Sequence, residues 1–198
     1  ARGAAARLVF QQRRADAKCI AQLEAALAAA STRLAGGRRD SSDLAMVEAG
    51  MIAGSEVGAP SAELEALLEK AREVAAALRA HKRTEGLLGE AVAPPTKISL
   101  LEALWEASNI GMSTGATVER AQATYEQNFQ TPSNEGQAKE AKNSLKQALE
   151  YNTKHAGERY EDRRRRLAVA LELIRRMKVT GDSVDKLVED AEGAIGEC

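Results

Sequence analysis

The chain has 198 residues, of which 3% are aromatic and about a fifth alanine, and its formal net charge is −1. Alanine is the best helix former and contributes little buried area, so the composition predicts thin helical layers and not a globule around a deep pocket. The near-neutral balance gives no case for a nucleic-acid or membrane partner, and no apolar run approaches transmembrane length.

Every periodic window has helical spacing and none alternates as a strand does, so the fold class is all-α. The pattern places a first helix at about 4–34, stopped by Gly36-Gly37, and a second at 42–53 carrying Leu44, Val47 and Met51. The segment GSEVGAP, Gly54 to Pro60, reads as a turn, and Ser61 as the N-cap of a third helix reaching about His81. Gly89 and the Pro94-Pro95 pair mark residues 86–97 as a linker. It divides a helical lobe at 1–85 from a second at 98–198. Helices follow at about 99–109, with Leu100, Leu101, Leu104 and Trp105, and at 117–129; Thr131 to Gly136 forms the next turn. An unbroken pattern over 137–178 predicts one connecting helix of about 60 Å. Its middle third is polar, and Gly157 is the place for a bend. A last helix starts near Ser183. The predicted architecture is an elongated array of antiparallel helical hairpins joined by one long helix.

Three helix openings share a pattern: Ser61-Ala62-Glu63, Thr117-Val118-Glu119 and Ser183-Val184-Asp185, each preceded by a glycine (Gly58, Gly115, Gly181). A hydroxyl caps free N–H groups, an acid suits the positive helix end, and glycine permits the reversal. The spacing of the openings is unequal, so the repeat is degenerate. It resembles the degenerate α-hairpin repeats of large cytoskeletal and axonemal scaffold proteins. That resemblance implies assembly and protein-partner binding. The third unit stops at Cys198, which points to a longer polypeptide.

Charge is laid out in blocks. Residues 1–39 hold eight basic and two acidic side chains, and 40–81 three and eight; 154–178 hold nine and four, and 179–198 one and six. Such blocks attract one another or a partner of opposite sign. The strongest basic cluster comprises Arg163 to Arg166 with Arg175, Arg176 and Lys178. Arg163, Arg166, Arg175, Arg176 and Lys178 are therefore the candidate partner-binding residues, for an acidic protein, a nucleic acid or an anionic membrane surface. The competing expectation is that Arg163 and Arg166 lie on a solvated face and pair with Glu158, Glu161 and Asp162.

Other chemistries find little footing. His81 and His155 stand far apart, neither with a glutamate three residues before it, and CxxC, HExxH, GxGxxG and P-loop motifs are missing. No catalytic residue, metal site or cofactor is expected. The two cysteines, Cys19 and Cys198, indicate a reducing, intracellular compartment, cytoplasm or cytoskeleton, with Cys19 a structural thiol on an apolar helix face. The opening ARGAAARLVFQQRRADAK is Arg-rich with no acid before Asp16, compatible with organelle import, although such segments are usually also Ser-rich. Within it, Leu8 to Arg14 is similar to part of a calmodulin-type IQ helix and departs from that pattern at Ala15. Gly50, Gly54 and Gly58 recur at four-residue spacing that lets helices approach closely, with Gly54 and Gly58 expected in the turn. Trp105 is the expected anchor of the core of the second hairpin, standing with Leu101 and Leu104. The sequence thus points to a non-enzymatic scaffold or adaptor working through helix–helix contacts, with a charge-driven binding module as the alternative.

Overall fold

A computed structural model describes residues 2–35, 41–112, 114–129 and 135–196. The Gly36-Gly37 stop, most of the Thr131–Gly136 turn and Cys198 lie outside these residues. Among the described residues the chain is all-α: α1 (Arg2–Ala35), α2 (Ser41–Ser55), α3 (Ala62–Ala91), α4 (Lys97–Asn109), α5 (Ala116–Phe129), α6 (Glu135–Lys154), α7 (Tyr160–Met177) and α8 (Asp182–Gly196). The one extended pairing among them is an isolated bridge between Val92 and Pro95. The chain divides into two compact units, Ala1–Arg83 and Thr84–Cys198.

In the first unit, α1 and α2 lie side by side, and apolar side chains from three helices share one core. Leu23, Leu27 and Ala30 come from α1, Val47 from α2, and Leu64, Leu68, Ala71, Ala75 and Leu78 from α3. Spacings of three and four residues put each set on one helix face. Glycine permits the close approach. A Cβ on Gly50 would stand 2.7 Å from Leu23 Cδ1, and one on Gly54 2.9 Å from Leu68 Cδ2. Gly54 is thus a buried helical residue and not part of the expected turn. The Cys19 thiol, half-buried against this core, donates to the Ala53 carbonyl at 3.6 Å. Asp43 is fully buried, and Arg33 holds both of its carboxylate oxygens, one through Nε at 2.8 Å.

The second unit is built on α7, which packs against α4, α6 and α8; α5 covers α4. Its core holds Leu100, Leu101, Leu104 and Trp105 with Tyr125, Leu145, Leu167, Leu171 and Ile174. Leu88 and Ala91, from the last turns of α3, belong to the same core. Residues 86–91 therefore continue α3, and the expected linker shrinks to residues 92–96, where the Ala93–Pro94 peptide is cis. Gly86 and Gly89 each cost the helix roughly 1 kcal/mol. Burying Leu88 returns about 1.5–3 kcal/mol and Ala91 adds to it, which offsets the two glycines together.

The single connecting helix over 137–178 does not form. It ends at Lys154, resumes at Tyr160, and α6 and α7 fold back to pack on each other. The break uses two left-handed residues, Gly157 at φ +83° and Arg159 at φ +49°. The arginine's backbone there costs about 1–2 kcal/mol. Arg163 offsets it by clamping the turn. Its Nε donates to the Glu158 carbonyl at 2.7 Å and its Nη1 to Asn152 Oδ1 at 2.9 Å.

The three repeated openings are capped in two ways. Ser61 Oγ accepts the Leu64 N–H at 3.2 Å, a true side-chain cap. At the other two, the glycine carbonyl takes the first helical bonds: Gly115 accepts from Glu119, and Gly181 from Val184 and Asp185. Thr117 and Ser183 therefore sit one residue inside their helices, and the shared sequence pattern does not correspond to a shared cap.

Candidate binding surfaces

The expected partner-binding residues do not form one surface. Arg163 is only 9% exposed and serves the turn just described. Arg164 reaches Glu106 on α4 at 2.5 Å and lies 5.4 Å over the Trp105 ring. Arg165 pairs with Glu102, also on α4, at 2.7 Å. Arg175 pairs with Glu192 on α8 at 3.1 Å. Arg176 pairs with Glu172 one turn before it at 2.9 Å, with its guanidinium 4.8 Å over the Tyr125 ring. Lys178 is exposed and forms the left-handed C-cap of α7, its N–H bonding the Arg175 carbonyl at 3.2 Å. Arg166 is exposed and stacks over Tyr151 at 4.2 Å. The expected carboxylate pairing of Arg163 with Glu158, Glu161 or Asp162 does not occur, because Arg163 takes a backbone carbonyl instead. Four consecutive arginines point all round a helix, and this helix has neighbours on several sides.

Arg176 and Glu172 form the most deeply buried ion pair among the described residues of the second unit. Glu172 is 6% exposed, and burial pushes its carboxyl pKa up against the opposing pull of Arg176 and then Arg175. Burial likewise raises the Tyr125 phenol, with Arg176 lowering it. Neither the Tyr125 hydroxyl nor Trp105 Nε1 has a hydrogen-bond partner among the described residues, and each ring has a guanidinium over it. Cation–π attraction of about 0.5–2 kcal/mol per pair works in the opposite direction to that loss. Among the described residues, no group of His, Cys, Asp or Glu gathers to hold a metal ion.

A surface that the charge and cap patterns do not reveal lies on the first unit. Between Ser41 and Ser55, Asp43 and Glu48 are the only charged residues of α2. Asp43 is buried against Arg33, and Glu48 is held by Arg79 of α3 at 2.7 Å. The rest of the helix is apolar nearly all round, which is the composition of a helix buried on every side. Val47 and Gly54 do face inward. Yet Ala45, Met46, Ala49 and Ile52, spaced at helical pitch, are exposed, with Ile52 at 61%. Beside them an open groove of about 480 Å³ runs between α2 and α1, lined by Gln22, Ala25, Ala26, Ala29, Met46 and Ala49. The signal is present in the sequence as a 15-residue helix with two charges. The inward stripe of Leu44, Val47 and Met51, which accounts for one face completely, masks it.

No helix among the described residues is long and apolar enough to cross a membrane. No protein-family model, curated protein or solved structure matches this chain.

Proposed function

We propose that this chain is a non-enzymatic helical scaffold or adaptor, and that the α1/α2 face of its first unit is where it holds a partner protein. The observation that carries the reading is the exposed apolar face of α2. Ala45, Met46, Ala49 and Ile52 stand in water on a helix whose two charges are both engaged within the unit. The groove floor is alanine and the walls are helices, so the occupant that fits is one amphipathic helix of a partner. Its larger side chains would enter where small ones leave room. This use of helix faces extends the resemblance to the degenerate α-hairpin repeats of scaffold proteins, and it makes the chain part of a larger assembly.

The charge-driven alternative has less support, because Arg163, Arg164, Arg165, Arg175 and Arg176 are all engaged inside the second unit. Ala49→Glu tests the choice. A charge there projects into water in the isolated chain, so the melting temperature should stay within a degree or two. Capture of a helical partner should fall at least about tenfold, since an unpaired carboxylate buried in an apolar contact is strongly unfavourable. Capture by the parent should change little with salt. Steep weakening with ionic strength, and indifference to Ala49→Glu, would favour the charge-driven reading instead.

A further inference from the structure

We propose that Tyr151, His155, Arg159 and Arg166 form a binding site for a phosphate-bearing anion at the turn between α6 and α7. The site exists only because the chain reverses at Gly157, bringing the start of α7 back beside the end of α6. Three groups converge on one half-buried tyrosine. Arg166 lies over its ring at 4.2 Å, the His155 ring stands 4.4 Å from it, and Arg159 Nη1 donates to its hydroxyl at 3.4 Å. One side chain thus holds Arg166 against its ring and Arg159 at its hydroxyl, with the His155 imidazole also against the ring.

These two arginines, one at the N-cap of α7 and one on it, differ from most of the arginines of that helix. Arg164, Arg165, Arg175 and Arg176 each meet a carboxylate, whereas Arg159 and Arg166 form no ion pair among the described residues. Glu158 and Asp162, near neighbours of Arg159 in the chain, act on its guanidinium electrostatically without forming an ion pair with it. Both guanidiniums are exposed, so a ligand can reach them. Arg159 also holds a left-handed backbone with no side-chain cap bond. Such backbone outliers persist where the surroundings impose them and recur at ligand sites. Two planar forks of N–H donors suit the several oxygens of a phosphoryl group, which can bridge them. Arg166 and His155 already lie against the Tyr151 ring, which leaves it poorly placed to stack a nucleobase. That favours a phosphate group over single-stranded nucleic acid. The site belongs to the second unit and is independent of the α1/α2 face.

The test is a titration of the full chain with inorganic phosphate and with pyrophosphate, followed by amide NMR. Saturable shifts confined to residues 151, 155–160 and 166 are expected, and a tighter response to pyrophosphate would identify linked phosphoryl groups as the preferred form. Arg166→Gln and Arg159→Asn should each weaken binding about tenfold, as expected for the loss of a charge-assisted contact. Asparagine tolerates the left-handed backbone, so Arg159→Asn should melt no lower than the parent while binding less. A merely structural arginine would lower the melting temperature without changing any anion response. The proposal is overturned if neither anion gives saturable shifts, if the double variant binds like the parent, or if only a single-stranded oligonucleotide binds.

Discussion

Replacing Arg176 with methionine is expected to destabilise the second unit by about 3–5 kcal/mol at neutral pH, the usual consequence of removing one partner from a buried ion pair. The substitution keeps much of the apolar stem and removes three things together: the 2.9 Å bond to Glu172, the charge beside it, and the cation over Tyr125. Glu172 is then left 6% exposed with only the more distant charge of Arg175 in its favour. The pH dependence gives the effect its signature. Burial already holds the Glu172 pKa above the ordinary carboxylate value. A folded state with a raised carboxyl pKa binds the proton more tightly than the unfolded chain. Its stability is therefore greatest below the unfolded pKa and is lost as pH rises through the folded one. Arg176→Met removes the positive charge that most opposes that rise, so the variant should lose more than the parent as pH increases. Melting curves from about pH 4 to pH 8 should show the gap widening upward, reaching roughly 10 °C at neutral pH. A gap that is constant across pH would mean that Glu172 is not the group left exposed to the cost.

Trp105→Ala should be comparably severe, about 3–5 kcal/mol, because it empties the largest side chain of the second core. The residue is 3% exposed, so native emission should be blue-shifted and should move to the solvent position on unfolding. Trp105→Phe separates volume from polarity. Since Trp105 Nε1 has no partner among the described residues, phenylalanine loses no hydrogen bond and keeps an aromatic face for Arg164. The cost should then fall to about 1–2 kcal/mol, the remainder reflecting lost volume. A loss as large as that of the alanine variant would show that the indole N–H is satisfied after all.

The helices were largely legible in the sequence, and the elements that went unread had tertiary causes. Leu100, Leu104, Leu167 and Leu171 announced their faces by spacing alone, and Trp105 its burial by size and company. Gly86 and Gly89 looked like a linker because glycine disfavours helix. Leu88 and Ala91 reverse that outcome only through burial against residues that become neighbours in the fold. Over 137–178 the seam positions stay in phase through a polar middle third, so periodicity alone did not report the break, and Gly157 was the one hint of it. What ends the helix is a left-handed pair at Gly157 and Arg159, held by Arg163 through Asn152 and Glu158. Arginine is a poor signal for a left-handed position. The basic cluster was visible as charge, but its use was not: Glu102 and Glu106 are some sixty residues away in sequence. Consequently Arg159 and Arg166, exposed and without a carboxylate, could not be sorted from the arginines that pair with Glu102, Glu106, Glu172 and Glu192 or, like the buried Arg163, clamp a turn.

Site-specific photo-cross-linking can show whether the outward face of α2 holds a partner helix. A photoreactive amino acid at position 49 stands between Met46 and Ile52 on the exposed stripe and lines the groove to α1. One dominant cross-linked protein whose attached peptide is an amphipathic helix is expected, while the same probe at exposed Glu119 in the second unit gives none. Adding Met46→Glu should abolish the product with melting unchanged. Attachment to another copy of this chain would make the occupant a second subunit in place of a separate partner. No product at position 49, or one that persists beside Met46→Glu, would mean that this face of α2 holds no partner helix.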